Sequence, residues 1–168
     1  VVMTPTKLHG EVVIAAAAAG KAIFCEKPLS LEVSEAEQMK AAVAKHGVFF
    51  QLGFMRRFDK AYAAAKKRID AGEIGTPVVF KSSSKDQLPP PVEYLRPANS
   101  GGLFIDMGIH DFDLARWYMG EAKSAFSVGN NVAFPAIATV GDVESGLTVL
   151  NFASGAIGSM KRKSPRSH

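Results

Sequence analysis

Through the first 54 residues, apolar positions alternate between short strand-like runs and stretches with helical spacing. Val1–Met3 reads as a strand remnant, and Thr4-Pro5-Thr6 is turn chemistry. Residues 8–19 carry a helical pattern stopped by Gly20, and 21–26 (KAIFCE) read as a buried strand broken by Pro28. A second helix is expected over 33–45, with Ser30 or Ser34 as N-cap, acids near its start and Gly47 at its end. Residues 48–54 read as another strand. Strands separated by helices of this length predict a parallel, doubly wound sheet with right-handed crossovers. After Gly53 the order changes to a helix over 58–71 closed by Gly72, a strand over 77–84, the proline-rich loop Leu88-Pro89-Pro90-Pro91 and a long apolar helix over 102–119. Strands over 124–132, 143–152 and 156–160 follow, and consecutive strands with short turns predict antiparallel pairing. The fold class is therefore α/β, with the C-terminal part of a doubly wound sheet followed by part of an α+β domain with an open, largely antiparallel sheet. Domain boundaries fall at 1–54 and 55–160, and 161–168 reads as a basic tail.

The helix over 102–119 is apolar nearly all round: Leu103, Phe104, Ile105, Met107, Ile109, Phe112, Leu114, Trp117 and Tyr118 leave little surface for water. Yet Asp106, His110 and Asp113 stand four and then three residues apart, a spacing that lines them along one face. Ionisable groups on a buried helix are costly unless paired or functional, so this stripe should open into a cleft. A histidine there can move a proton near neutral pH, and a carboxylate one turn away can orient its ring. The bland alternative is a satisfied core histidine. The sharper rival is a zinc site, but no other His or Cys stands at ligand-like spacing.

Composition narrows the partners. The chain has 168 residues, 47% hydrophobic and 21% charged, as in a globular protein. Its net charge of +4 comes wholly from Lys161, Arg162, Lys163 and Arg166; the remaining residues balance sixteen bases against sixteen acids. A balanced body argues against a nucleic-acid partner. The single Cys25 allows no internal disulfide and fits a reducing compartment, the cytoplasm. No apolar run reaches the roughly 20 residues needed to span a bilayer, so no membrane role is expected. The opening Val1-Val2-Met3 reads as the middle of a strand and the final Ser-Pro-Arg-Ser-His has no periodicity, so the chain reads as a piece of a longer protein.

Other residues carry chemistry by position. Lys27 stands at the carboxyl end of a parallel strand, where open α/β sheets place their ligand crevice, with Pro28 stiffening the chain behind it. A solvated strand-end lysine is the alternative. Thr4, Thr6 and His9 lie at a strand-to-helix turn, where hydroxyls and a helix N-terminus can meet a ribose or a phosphate; N-capping by Thr6 would explain the same residues. Arg56, Arg57 and Asp59 follow a strand end at the junction of the two regions, a favoured place for ligands. Lys85 and Asp86 precede the proline loop, and Cys25 reads as an inert core thiol.

Taken together, Thr4-Pro5-Thr6-x-x-His9, Ala22-Ile23-Phe24-Cys25-Glu26-Lys27-Pro28-Leu29-Ser30 and Gln51-Leu52-Gly53-Phe54-Met55-Arg56-Arg57-Phe58-Asp59 resemble successive segments of the Gfo/Idh/MocA oxidoreductases. Ser84-Lys85-Asp86, Pro89-Pro90-Pro91-x-Glu93-Tyr94 and the run from Ser100 to Arg116 are similar to the inositol 2-dehydrogenase branch. The resemblance covers residues 1 to about 160. It implies a Rossmann domain and a following α/β domain whose open sheet supports substrate and homo-oligomer contacts. It also implies Lys27, Asp106 and His110 as the catalytic group, with Thr4, Pro5, Thr6, His9, Glu26 and Lys27 at the cofactor. Arg57, Asp86 and Asp113 then become candidates for holding the hydroxyls of a polyol or sugar, which offers both donors and acceptors. The implied reaction is oxidation of a myo-inositol-like cyclic polyol to the ketone with hydride passing to NAD, without a metal. Another sugar dehydrogenase or reductase, or a non-catalytic scaffold relative, is the alternative.

Two departures qualify the resemblance. The glycine-rich phosphate loop G-x-G-x-x-G is absent, as is the acidic residue that would read the ribose, so NAD and NADP are not distinguished. The tail after Met160 also departs from the family pattern. These 168 residues alone are expected to bind dinucleotide poorly and to turn over little or nothing.

Overall fold

A computed structural model describes residues 1–85 and 91–163. In the first part, a 3₁₀ turn at Thr6–Leu8 leads into helix α1 (His9–Ala18), followed by strand β1 (Ile23–Cys25), helix α2 (Val33–His46) and strand β2 (Phe50–Leu52). β1 and β2 pair in parallel, and Val2 bridges Cys25 on the other side of β1, also in parallel. The predicted alternation is therefore present, with strands shorter than the apolar runs suggested. Val2, Val13, Ala17, Ile23, Cys25 and Met39 form the core between this sheet and its helices. Gly47 closes α2 in the left-handed conformation (φ 60°), a cost only glycine escapes. Neither Ser30 nor Ser34 caps α2. Glu32 holds the N-cap position without a side-chain bond, while the Ser30 hydroxyl accepts from the Glu32 amide at 3.0 Å and donates to the Glu35 carboxylate.

The second part begins with helix α3 (Lys60–Asp70), capped by Asp59, whose carboxylate accepts from the amides of Ala61 at 2.8 Å and Tyr62 at 3.3 Å. Strand β3 (Val79–Lys85), the short helix α4 (Pro97–Ser100), helix α5 (Ile109–Met119) and strands β4 (Ala122–Asn130), β5 (Ser145–Phe152) and β6 (Ile157–Lys163) complete it. The sheet order is β3-β6-β5-β4. The last three strands are antiparallel as anticipated, whereas β3 joins β6 in parallel, a pairing that local spacing could not reveal. α5 covers one face of this sheet through Ala115, Leu150, Phe152, Ala156 and Met160. β6 runs through Lys163, so Lys161 and Arg162 belong to the sheet rather than to a tail, and Arg162 is buried.

The long apolar helix is not one helix. Leu103–Met107 forms a π-helical turn, and α5 starts only at Ile109. Gly101 (φ 83°) and Gly102 (φ 70°) bring the chain into this turn. A Cβ on Gly102 would lie 2.6 Å from a carboxylate oxygen of Asp142.

Candidate active site

Lys27 follows β1 and Asp106 lies on the π-helical turn, so they come from different parts of the chain. The Lys27 Nζ donates to the Asp106 carboxylate and to its backbone carbonyl, each at 2.8 Å. An ammonium has three donors, which leaves one for a further acceptor. Glu26 holds the same corner: its carboxylate accepts from the Lys27 amide at 3.3 Å, and a Cβ on Gly53 would come within 3.1 Å of it. The Tyr94 phenol has its pKa raised by burial and then by the Asp106 charge.

His110 opens α5, one turn after Asp106, and is buried. Its pKa falls from 6.5 to about 4, first through burial and then through the positive charges of Lys27, Arg56 and Arg162, against which the Asp111 carboxylate acts in part. The ring is therefore neutral near pH 7. Its Nδ1 is buried with no hydrogen-bond partner among the described residues. Neither Asp106 nor Asp113 bonds that nitrogen; Asp106 pairs with Lys27 and Asp113 with Arg57.

Asp113 accepts a bidentate pair from Arg57, with contacts of 2.7–3.1 Å. Asp111, which the spacing argument passed over, is the most heavily bonded acid here. At 1% exposure it accepts from Arg56 at 2.8 Å, from Ser82 at 2.7 Å and from Ser84 at 3.1 Å. Its second oxygen lies 3.2 Å from Arg162 Nε, close enough for charge attraction but not aligned as a hydrogen bond. The available signal was the doubled acid in His110-Asp111-Phe112-Asp113, which one helical face could not fully accommodate.

Thr4 and Pro5 border a cleft of about 540 Å³ lined also by Met3, Lys7, Glu93, Tyr94 and Asn99, and Thr6 does not line it. Thr6 does not act as an N-cap; neither the 3₁₀ turn nor α1 has a side-chain cap. His9 is buried, its ring nitrogens 2.9 Å from the carbonyl oxygens of Thr4 and Pro28. It thus ties the threonine turn to the segment behind Lys27. Burial pushes the Cys25 thiol up to about 11, with the Glu26 charge adding to it, as an inert core thiol requires. Asp86, Pro89 and Pro90 lie outside the described residues. Among the described residues there is no group of three or more metal-ligating side chains and no helix long and apolar enough to cross a membrane.

These features suit a dinucleotide beside a small polar substrate. The cleft joins a threonine turn ahead of a helix to Tyr94, whose phenol neighbours Asp106, and a buried ring nitrogen of His110 awaits a partner.

Residues 1–54 match the family model described as "Oxidoreductase family, NAD-binding Rossmann fold", and residues 62–163 match "GFO/IDH/MocA C-terminal domain". The chain is 47% identical to the scyllo-inositol 2-dehydrogenase (NAD(+)) of Bacillus subtilis, over 100% of this chain and 49% of that protein. It is 44% identical to the myo-inositol 2-dehydrogenase of Thermotoga maritima, over 94% of this chain and 47% of that protein. A crystal structure of scyllo-inositol dehydrogenase from Lactobacillus casei with bound NAD(H) and scyllo-inositol superposes with a TM-score of 0.89 at 35% identity, covering 99% of this chain and 50% of that one. The chain spans about half the length of the curated relatives it matches.

Proposed function

Since the chain belongs to the Gfo/Idh/MocA oxidoreductase family, we propose that it carries the catalytic centre for NAD-dependent oxidation of a cyclic polyol of the inositol type to its ketone. The observation that carries this reading is the 2.8 Å pair between Lys27 and Asp106, which puts a charged donor from the Rossmann part beside the segment bearing His110. The similarity to two inositol dehydrogenases, and to a structure holding NAD(H) and scyllo-inositol, supports the substrate class and favours NAD over NADP.

When bound, the dinucleotide supplies the hydride acceptor. The neutral His110 ring takes the proton of the reacting hydroxyl. Proton and hydride leave together with proton transfer slightly ahead, so partial negative charge builds on that oxygen, while the loss of hydride lets even a ring of low basicity accept the proton. Lys27 directs its remaining N–H at the same oxygen and stabilises the charge that develops there. Asp106 fixes the ammonium. Arg57 and Asp113 hold one another at the edge of the site and offer a donor and an acceptor to substrate hydroxyls, a role assigned also to Asp86. Thr4, Pro5, Thr6 and Glu26 shape the cofactor side, with His9 behind them.

Residues 1–54 form the dinucleotide-binding part and the residues from 55 onward the substrate part. The outward face of the sheet supports homo-oligomer formation, because Phe126, Val128, Leu147, Val149, Val79 and Ile157 are each 46–70% exposed. Their register places them side by side on one surface. The single buried Cys25 thiol supports a reducing compartment, the cytoplasm. The test is NADH formation by the intact encoded protein on a panel of inositol isomers and aldoses. Turnover greatest on an inositol supports the reading, and no turnover on any polyol overturns it.

A further inference from the structure

Asp106 sits on the π-helical turn Leu103–Met107. Such a turn is poorly bonded compared with an α-helix and persists where its surroundings hold it. Here both ends are held by buried charged side chains from the sheet domain. At the start, the Leu103 amide donates to both oxygens of the Asp142 carboxylate, at 3.1 and 3.0 Å. At the end, the Arg162 guanidinium of β6 donates to the Met107 carbonyl while its Nε lies 3.2 Å from Asp111. Asp142 is 8% and Arg162 6% exposed. Anion at the N–H end and cation at the carbonyl end both match the dipole of the turn. Between them, the Phe104 ring presses on Gly146 of β5, where a Cβ would lie 2.7 Å from it.

We infer that Asp142 and Arg162 are positioning residues that clamp the π-helical turn and so set where Asp106 and His110 stand relative to Lys27. The effect on turnover rests on the dehydrogenase reading; the effect on the turn does not. Arg162 also adds to the charge around His110, which faces Lys27, Arg56, Arg162 and Asp111, while Asp106 is paired to Lys27.

The test compares Arg162→Gln, Arg162→Lys and Asp142→Asn by amide hydrogen exchange and by NMR titration of the His110 ring. The amides of Leu103 and Gly108, the latter bonded to the Leu103 carbonyl at 3.0 Å, should exchange about tenfold faster in Arg162→Gln and Asp142→Asn. Arg162→Lys, which keeps the charge, should retain the low His110 midpoint that Arg162→Gln raises. In the active protein, Arg162→Gln and Asp142→Asn should lower kcat about 100-fold with KM little changed. Folded Arg162→Gln and Asp142→Asn with unchanged exchange at these amides overturn the clamp. If Arg162→Gln fails to fold, Asp142→Asn decides it by the exchange of the Leu103 and Gly108 amides. A wild-type protein inactive on every polyol, with the exchange result intact, overturns the dehydrogenase reading and leaves the clamp standing.

Discussion

His110 shows how surroundings rather than sequence set a residue's chemistry. Its pKa of about 4 lies below the 6.5 of the unfolded chain, so on acidification the unfolded state takes up the proton first. Stability should fall as pH drops from 6.5 to 4 and be insensitive to this residue above 6.5. With allowance for screening, the loss is on the order of 2 kcal/mol. Urea unfolding of wild type and His110→Asn at pH 7 and pH 4.5 checks this: the variant should lose less on acidification, and equal losses would contradict the assignment. Lys27, Asp106 and His110 were legible in the sequence because a strand-end lysine and a polar stripe on an apolar helix stand out locally. Asp111 and Arg162 were not. Their partners lie up to 55 residues away, and Arg162 stands in a basic run that reads as solvated until β6 is seen to bury it.

Among the elements, the alternation of the first part was readable from apolar spacing and glycine stops, because each signal is local. The parallel β3–β6 pairing was not, since it joins strands whose register is set through the whole second part. The π-helical turn was hidden for a related reason. Its apolar residues fit α-helical spacing, and the partners that meet the turn, Asp142, Arg162 and Gly146, lie far along the chain. The Gly101-Gly102 pair was the local sign of that break. Gly102 has φ 70° and ψ −171°, a region open essentially to glycine, and faces Asp142. Gly102→Ala should therefore cost about 1–3 kcal/mol and disturb the Leu103 bond to Asp142. A urea midpoint equal to wild type would show that the entry to the turn is not constrained in this way.

Over the whole molecule, the Lys27–Asp106 pair joins the two parts, while Arg56–Asp111 and Arg57–Asp113 tie the segment just past the boundary to α5, so charges gather at the junction. On the far side of the sheet, the apolar face has no cover among the described residues. Sedimentation should show concentration-dependent self-association that Phe126→Asp with Val149→Asp abolishes; a monomer at every concentration would contradict the proposed homo-oligomer. The central claim is that Lys27 and His110 act on one hydroxyl. Its most direct test is kcat for NAD-dependent inositol oxidation by the intact encoded protein, with Lys27→Ala and His110→Ala alongside wild type and with binding of NAD and polyol measured separately. Each variant should keep its fold and bind both ligands while kcat falls by roughly 10²–10⁴. Turnover within a few-fold of wild type in either folded variant would contradict the account.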